Sequence, residues 1–351
     1  MDCFEKKYIE QYGITRAISQ YFCYILGMFA PSVLAKLLYN KAFQNSLSFN
    51  SPQNLNEKIN WLEFNTDTLV WTLLADKLLV RNYVIMQGFD NILTKLYGVW
   101  EDVDTIDFRA LPNSFVLKCN HDSGSALVVL DKTEIKSDSI VVLLKERMKR
   151  PYGIISAEPH YKRIKRYVFA EELILGVNKT FDGPINYKFW CFYGDVAFCH
   201  VQYRLKNGTK GAEMYRLPQW QYCPNALISN NEAPIIQAPF HLNEMMKMAS
   251  NLSRIFPQCR VDMYETDERI FFGELTFTAG AGRIYDYTTE FLKELGNRVI
   301  ITEKLNYSGI INGLNHIAPF KTSHMTRISK IERVELSSNT FSNEKEKRYR
   351  Y

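Results

Sequence analysis

Two short apolar runs, Arg260-Val-Asp262-Met-Tyr and Phe271-Phe-Gly-Glu274-Leu-Thr276-Phe, constrain the fold of this chain more than any other feature. Short apolar runs bounded by turn signals form buried strands, and Glu265-Thr-Asp-Glu-Arg269 between them forms a hairpin turn. The hairpin brings Asp262 and Glu274 side by side at the edge of an apolar sheet. Two carboxylates held that close repel each other unless a cation lies between them. Mg²⁺ bridging nucleotide phosphates suits such a position, because it takes one or two carboxylates together with phosphate oxygens. A surface hairpin with two solvated acids fits the same pattern, so the residues upstream decide.

Residues 1–50 read as helices, with apolar spacing at Ile25, Met28, Phe29, Leu34, Leu37 and Leu38. The segment Ala17–Ala35 lacks charge, but it is short for a membrane span and contains Gln20, Pro31 and Ser32. It reads as a buried or interfacial helix broken near Pro31, with peripheral contact to a membrane surface as the alternative. No basic segment precedes an apolar core at the N-terminus, so no signal peptide is expected. Asn50-Ser-Pro-Gln-Asn54 is a turn, and Leu55-Asn-Glu-Lys-Ile-Asn-Trp-Leu62 opens a helix capped by Asn54 or Asn56. Val70–Met86 continues the helical period.

After a break at Ala110-Leu-Pro-Asn113 the period changes. Phe115–His121, Asp122-Ser-Gly124-Ser and Ala126–Leu130 read as strand, loop and strand, with Gly124 at the tip of a hairpin. Ser139–Met148 predicts a helix, Tyr167–Ile174 a strand and Gly176–Pro184 a connecting turn. Tyr187–Phe192 and Val196–Tyr203 predict a hairpin around Gly194-Asp195, and Leu242–Ile255 a helix. From Thr322 the chain is polar and charge-rich, as in a mobile tail. Helices first, then hairpins alternating with helices, give an α+β fold with mainly antiparallel sheets. No G-x-G-x-x-G or P-loop follows a strand.

A net charge of +5 suits polyanionic substrates or an anionic membrane face and is too weak to argue for nucleic acid. Aromatic content of 14% suits sugar-stacking surfaces and large cores alike. The seven cysteines are scattered, odd in number and form no C-x-x-C, which points to a reducing cytoplasm.

Lys118 interrupts an apolar strand, and just beyond it a Gly-containing loop can lay backbone N–H groups over phosphates. Lys188 repeats the arrangement between Tyr187 and Phe189. Glu171 and Glu172 close a third strand, where backbone groups can pair with an adenine edge. Arg260 shares a strand face with Asp262 and can stabilise negative charge beside a metal. Taken singly, Lys118 and Lys188 also read as edge-strand charges, and Glu171 and Glu172 as solvated acids. His121 and His160 read as structural hydrogen-bonding groups.

Together these features resemble the ATP-grasp superfamily: a strand Lys, a Gly hairpin loop, a strand ending in Glu, a second basic strand, then Asp and Glu. More narrowly, the chain resembles the ATP-grasp family linked to teichuronopeptide and capsular polysaccharide synthesis. Leu55–Leu62, Ala75-Asp-Lys77 with Val80-Arg81, Tyr97-Gly-Val-Trp100, Leu111–Gly124, Ala170-Glu-Glu-Leu173, Tyr187-Lys-Phe189, Arg260-Val-Asp262 and Gly273-Glu-Leu-Thr-Phe277 carry the resemblance. It implies two α+β subdomains clasping ATP behind a helical N-terminal region. The expected divisions are 1–110, 111–176 (with the Gly loop), 177–305 (with the metal site) and 306–351. It implies Lys118 and Lys188 on the ATP phosphates and a loop of Ser123, Gly124 and Ser125 closing over them. Glu171, Glu172, Leu173 and Ile174 would form the adenine hinge. Asp262 and Glu274 would hold Mg²⁺, with Thr276 where many relatives have a metal-binding Asn, and Arg260 would face an acyl phosphate.

The implied activity is ATP-dependent carboxylate–amine ligation in the cytoplasm. The implied substrates are a uronic-acid-type sugar or glycan carboxylate and an amino acid or other small amine. A metal-dependent glycosyltransferase is the alternative, although Asp262-Met-Tyr264 is not the Asp-x-Asp such enzymes use. A non-catalytic polysaccharide-binding protein would leave the two strand lysines unexplained.

Overall fold

The computed structural model describes residues 14–176, 180–229, 236–266, 269–301, 307, 310–311 and 313–314. The expected charge-rich tail from Thr322 lies outside them. Helices α1 (Ile14–Phe29) and α2 (Pro31–Phe43) meet at Ala30 because proline is tolerated in a first helical turn and not in a helix interior. Helix α3 (Leu55–Asn65) starts at Asn54, whose side chain accepts from the Glu57 amide while Glu57 reaches back to the Asn54 amide. This reciprocal cap resolves the choice between Asn54 and Asn56.

The helical period over Val70–Met86 is two helices, α4 (Leu69–Ala75) and α5 (Leu79–Met86). They part at Asp76, whose carboxylate accepts from the amides of Leu78 and Leu79 and restarts the helix there. The break exposes Lys77 to its surroundings, which matters for the site.

Two antiparallel sheets follow. The smaller has the order β1-β4-β2-β3, from Leu96–Trp100, Val168–Glu171, Phe115–Cys119 and Leu127–Val129. Its first strand lies within residues 1–110, ahead of the expected division. Its fourth strand stops at Glu171 rather than Ile174. Helix α6 (Ser137–Lys149) seals one face with Ile140 and Leu144. The larger sheet has the order β10-β9-β5-β6-β7-β8. Its strands are Ile270–Thr276, Cys259–Glu265, Asn186–Phe192, Asp195–Arg204, Lys210–Arg216 and Gln221–Tyr222. A short helix α7 (Pro159–Lys162) precedes the fourth strand, and the helices α8 (Leu242–Ser253) and α9 (Thr289–Arg298) complete the second half. Helix α8 packs across β5, β6 and β9, and its Met245, Ala249 and Leu252 are fully enclosed.

One irregularity sets the chemistry of the larger sheet. Strands β9 and β10 pair as Ile270 with Glu265, Phe271 with Tyr264 and Phe272 with Met263, and then Gly273 bulges. Glu274 therefore faces Asp262. In an unbroken ladder Glu274 would face Val261 and project from the other side, because one residue of slip inverts every side chain. Gly273 is required at the bulge: a Cβ there would lie 2.9 Å from the Asp262 carbonyl oxygen and 3.0 Å from the Tyr264 ring.

Replacing Gly273 with valine is expected to lower stability by about 1–3 kcal/mol through forced displacement of the β9 backbone. Chemical denaturation measures it, and an unchanged midpoint would show that the bulge is not sterically fixed.

Candidate active site

Strand register lines up the charged residues of the larger sheet. Lys188 pairs with Asp262 across β5 and β9, and Asp262 pairs with Glu274 across β9 and β10. The next row, two residues along, is Trp190, Arg260 and Thr276. Neighbouring rows on one face are close enough for long side chains to interact.

Asp262 is almost fully buried, and both its oxygens are engaged. Arg260 donates from Nε to Oδ1 at 2.6 Å and from Nη2 to Oδ2 at 2.9 Å, and Lys188 Nζ donates to Oδ2 at 2.7 Å. Burial alone would raise the Asp262 pKa, but the Arg260 and Lys188 charges outweigh it and hold the carboxyl below its usual range. The Arg260 Nη2 also reaches Glu274 Oε1 at 3.4 Å and the Thr276 hydroxyl at 3.2 Å. The cation between the two acids is thus Arg260 itself. The Thr276 hydroxyl donates to Glu274 Oε1 at 3.1 Å, which leaves Oε2 without a partner among the described residues.

Behind this row His200 pairs with Lys188, and its Nδ1 lies 2.7 Å from the Tyr287 hydroxyl, which also accepts from Trp190 Nε1 at 2.9 Å. Burial, reinforced by Lys188 and Arg260, pushes His200 down to about 3, so the ring is neutral at physiological pH.

The smaller sheet faces the β9–β10 edge across a narrow cleft. Lys77, Arg81, Thr94, Lys118, Phe169 and Glu171 line one side, and Phe272 and Gly273 the other. Glu171 is a buried anion that holds this wall together. It forms an ion pair with Lys118, accepts from the Thr94 hydroxyl at 2.6 Å and lies 3.9 Å from Arg81. Burial works against its ionisation, and the Lys118 ammonium outweighs it. With three cations against one carboxylate, the wall carries excess positive charge.

The Gly loop sits above Lys118. Ser123 and Gly124 are exposed, and Gly124 has φ +76° with open space where a side chain would project. Ser125 is buried and donates to the Asp122 carboxylate, while Lys77 Nζ donates to the Asp122 carbonyl and Arg147 to that of Ser125. The loop is therefore anchored at its ends, and at its tip Ser123 hydrogen-bonds Tyr152 while Gly124 stays open. Beneath it His121 is buried with neither ring nitrogen partnered among the described residues, whereas His160 Nδ1 lies 2.8 Å from Glu63 Oε1.

Beyond Glu171 the chain leaves the strand. Glu172 exchanges hydrogen bonds with Lys95, its amide donating to the Lys95 carbonyl at 2.8 Å and its carboxylate accepting from the Lys95 amide at 3.0 Å. Arg269, at the β9–β10 turn, donates to the Glu172 carboxylate at 2.8 Å and links the two sheets. The peptide groups of Leu173 and Ile174 have no hydrogen-bond partner among the described residues.

The residues expected to contact phosphate, adenine or metal thus fall in two groups, Lys118 to Ile174 in and beside the smaller sheet and Lys188 to Thr276 on the larger, whereas His160 lies on α7. Sequence reasoning assigned no role to Lys77 or Arg81, although their motif was visible, and it missed Thr94, His200 and Tyr287. Lys77 and Arg81 flank a helix break, where a pattern of apolar spacing does not show which way a cation points.

No three His, Cys, Asp or Glu side chains converge among the described residues. Two adjacent carboxylates with an open oxygen on Glu274 fit a hard cation that takes its remaining ligands from phosphate and water. They do not fit an all-protein metal cage.

A family model described as TupA-like ATPgrasp matches residues 57–300, and the chain belongs to that family. It is an ATP- and Mg²⁺-dependent ligase. No curated protein matches it. Among solved structures, a D-alanine–D-alanine ligase from Bacillus anthracis complexed with ATP is 15% identical, with a TM-score of 0.40, over 71% of this chain and 76% of the other. A D-alanine–D-alanine ligase from Helicobacter pylori is 13% identical, with a TM-score of 0.37, over 72% and 70% of the two chains. The macrocyclase MdnC from Microcystis aeruginosa, bound to its precursor peptide, is 11% identical, with a TM-score of 0.32, over 65% and 61%. The family match carries the assignment.

An Asp262→Asn substitution leaves Arg260 and Lys188 buried without their counter-charge and is expected to cost about 3–5 kcal/mol at neutral pH. Because the folded pKa of Asp262 is depressed, its contribution is complete above the unfolded value of about 4 and is lost as pH falls through the folded one. Urea unfolding of both proteins across pH checks the sign: their difference should shrink below about pH 4. A difference that does not change with pH would contradict the ion-pair assignment.

Proposed function

We propose that this ligase activates the carboxylate of a uronic-acid-type sugar, in a surface-polysaccharide precursor, and joins it to an amino acid or small amine. The observation that carries the reading is the row Lys188, Asp262 and Glu274 on the larger sheet, beside the cleft in which Lys77, Arg81 and Lys118 oppose Phe272 and Gly273 of the same strand as Glu274. A polyphosphate bearing a divalent cation complements both sides at once. The cations match its oxygens, and the Glu274 oxygen matches its metal.

In this reading Lys118, Lys188 and Lys77 contact phosphate oxygens, and the tip of the loop, Ser123 and Gly124 next to buried Ser125, closes over them. The unpaired peptide groups of Leu173 and Ile174 receive the adenine edge, and Glu171 and Glu172 position that hinge through Lys118 and Lys95. Glu274, with Asp262 beside it, would hold Mg²⁺, and the Thr276 hydroxyl orients Glu274. The metal supplies charge neutralisation of the transferring phosphoryl group. Arg260 stabilises the acyl phosphate formed when the sugar carboxylate attacks the γ-phosphorus and ADP leaves. The amine then attacks the acyl carbon, forming the amide and releasing phosphate.

The substrate class rests on the family's link to capsule-type polymers, and the cytoplasmic setting agrees with six free cysteines among the described residues. The decisive experiment is ATP-dependent phosphate release screened over uronic acids crossed with amino acids. Lys118→Ala and Glu274→Gln are expected to lower ADP formation at least about a hundredfold, Glu274→Gln with the wild-type unfolding temperature and Lys118→Ala with a lowered one, because buried Glu171 loses its counter-charge. Near wild-type turnover in either variant would remove the phosphate or metal assignment. Thermal stabilisation by a sugar nucleotide in place of ATP–Mg²⁺ would favour glycosyl transfer instead.

A further inference from the structure

Helix α1 presents an apolar face that the core does not use. Ile18, Tyr21, Phe22, Ile25 and Phe29 recur at helical spacing on one side, with Phe29 82%, Ile18 63% and Phe22 56% exposed. Exposed Val33 and Leu37 extend the face onto α2. The residues between them point the other way: Cys23 and Leu26 pack with Leu34, Ala35 and Tyr39 against Ala157. Helix α1 lies so close over the 154 peptide that a Cβ at Gly27 would meet the Ile154 carbonyl oxygen at 1.9 Å. The outer face is therefore held in place by the body of the molecule.

Its charge pattern is one-sided. From Gln11 to Asn56 there is no Asp or Glu, in a chain with 38 such residues in 351, while Arg16, Lys36 and Lys41 are present. Large exposed apolar patches mark interaction sites, and cations without acids around one select an anionic partner. A second copy would set Lys36 and Lys41 against like charges. The segment Thr322–Tyr351 has seven Lys and Arg against four Glu and no Asp, so it carries the same sign. No described helix is long and apolar enough to cross a membrane. A helix with this pattern lies in the plane of a bilayer, its aromatic and aliphatic side chains among the acyl chains and its cations at the headgroups.

We infer that the outer face of α1 and α2 docks the protein on an anionic lipid bilayer. The inference stands apart from the ligase chemistry, because docking is measured without nucleotide.

The test is co-sedimentation of the full chain with vesicles of phosphatidylcholine alone or mixed with phosphatidylglycerol. Binding should be at least about tenfold stronger to the mixed vesicles and fall as salt rises. Phe22→Asp with Phe29→Asp should lower that binding at least about tenfold while keeping the wild-type unfolding temperature. Lys36→Gln with Lys41→Gln should weaken it too, which keeps the test decisive if the first variant folds poorly. Absence of binding to mixed vesicles, equal binding to both vesicle types, or wild-type binding by both variants would overturn the inference. A dimer of the wild-type chain that the Asp variant abolishes, without vesicle binding, would assign the face to a second copy.

Discussion

The centre of the larger sheet depends on the buried carboxylate of Asp262. A charge taken out of water is tolerated only when it is paired and fully hydrogen-bonded, and here Arg260 and Lys188 saturate both oxygens. This arrangement brings Lys188 and Arg260 onto one sheet face, where neither would be stable alone. It also decides which acid stays open. Asp262 is committed to its partners, whereas Glu274 meets Arg260 only at 3.4 Å and keeps one oxygen free. In the proposed function, holding the metal would therefore fall mainly to Glu274, with Asp262 fixing the cations around it.

The smaller sheet repeats this logic with the opposite balance. Glu171 is its buried anion, and Lys118, Arg81 and the Thr94 hydroxyl gather around it. One carboxylate cannot neutralise Lys118, Arg81 and the neighbouring Lys77, so the wall keeps excess positive charge at the cleft. The Glu171–Lys118 pair holds a flexible side chain extended beneath the Gly loop, and Lys77 ties that loop from below. In the proposed function, cations already in place would spare a phosphate ligand part of the ordering entropy it would otherwise offset.

Much of this was legible in the chain because it is local. The β9–β10 hairpin, the β2–β3 hairpin with Gly124 at its tip, and the Asn54 cap each follow from a few adjacent residues. Strand β1 was not legible as a strand, since all five of its residues are half-buried and show no alternation. Strand β7, at Lys210–Arg216, begins and ends with charge and so lacks the apolar signal. Lys77 and Arg81 were recognisable as a motif and not as a wall of the site, because a helix break sets their direction. His200 and Tyr287 could not be paired from sequence, since 87 residues separate them.

Sequence alone pointed to the α+β class and the family and marked out the charged strand residues, because strand periodicity, turn chemistry and side-chain type are properties of neighbours in the chain. The tertiary structure decided how those residues are used. Register across β5, β9 and β10, with one bulge at Gly273, put Lys188, Asp262 and Glu274 in a row. Side-chain packing then placed Arg260 between the acids. A single residue of slip would have sent Glu274 to the other face, and slip is a property of paired strands that no local pattern contains.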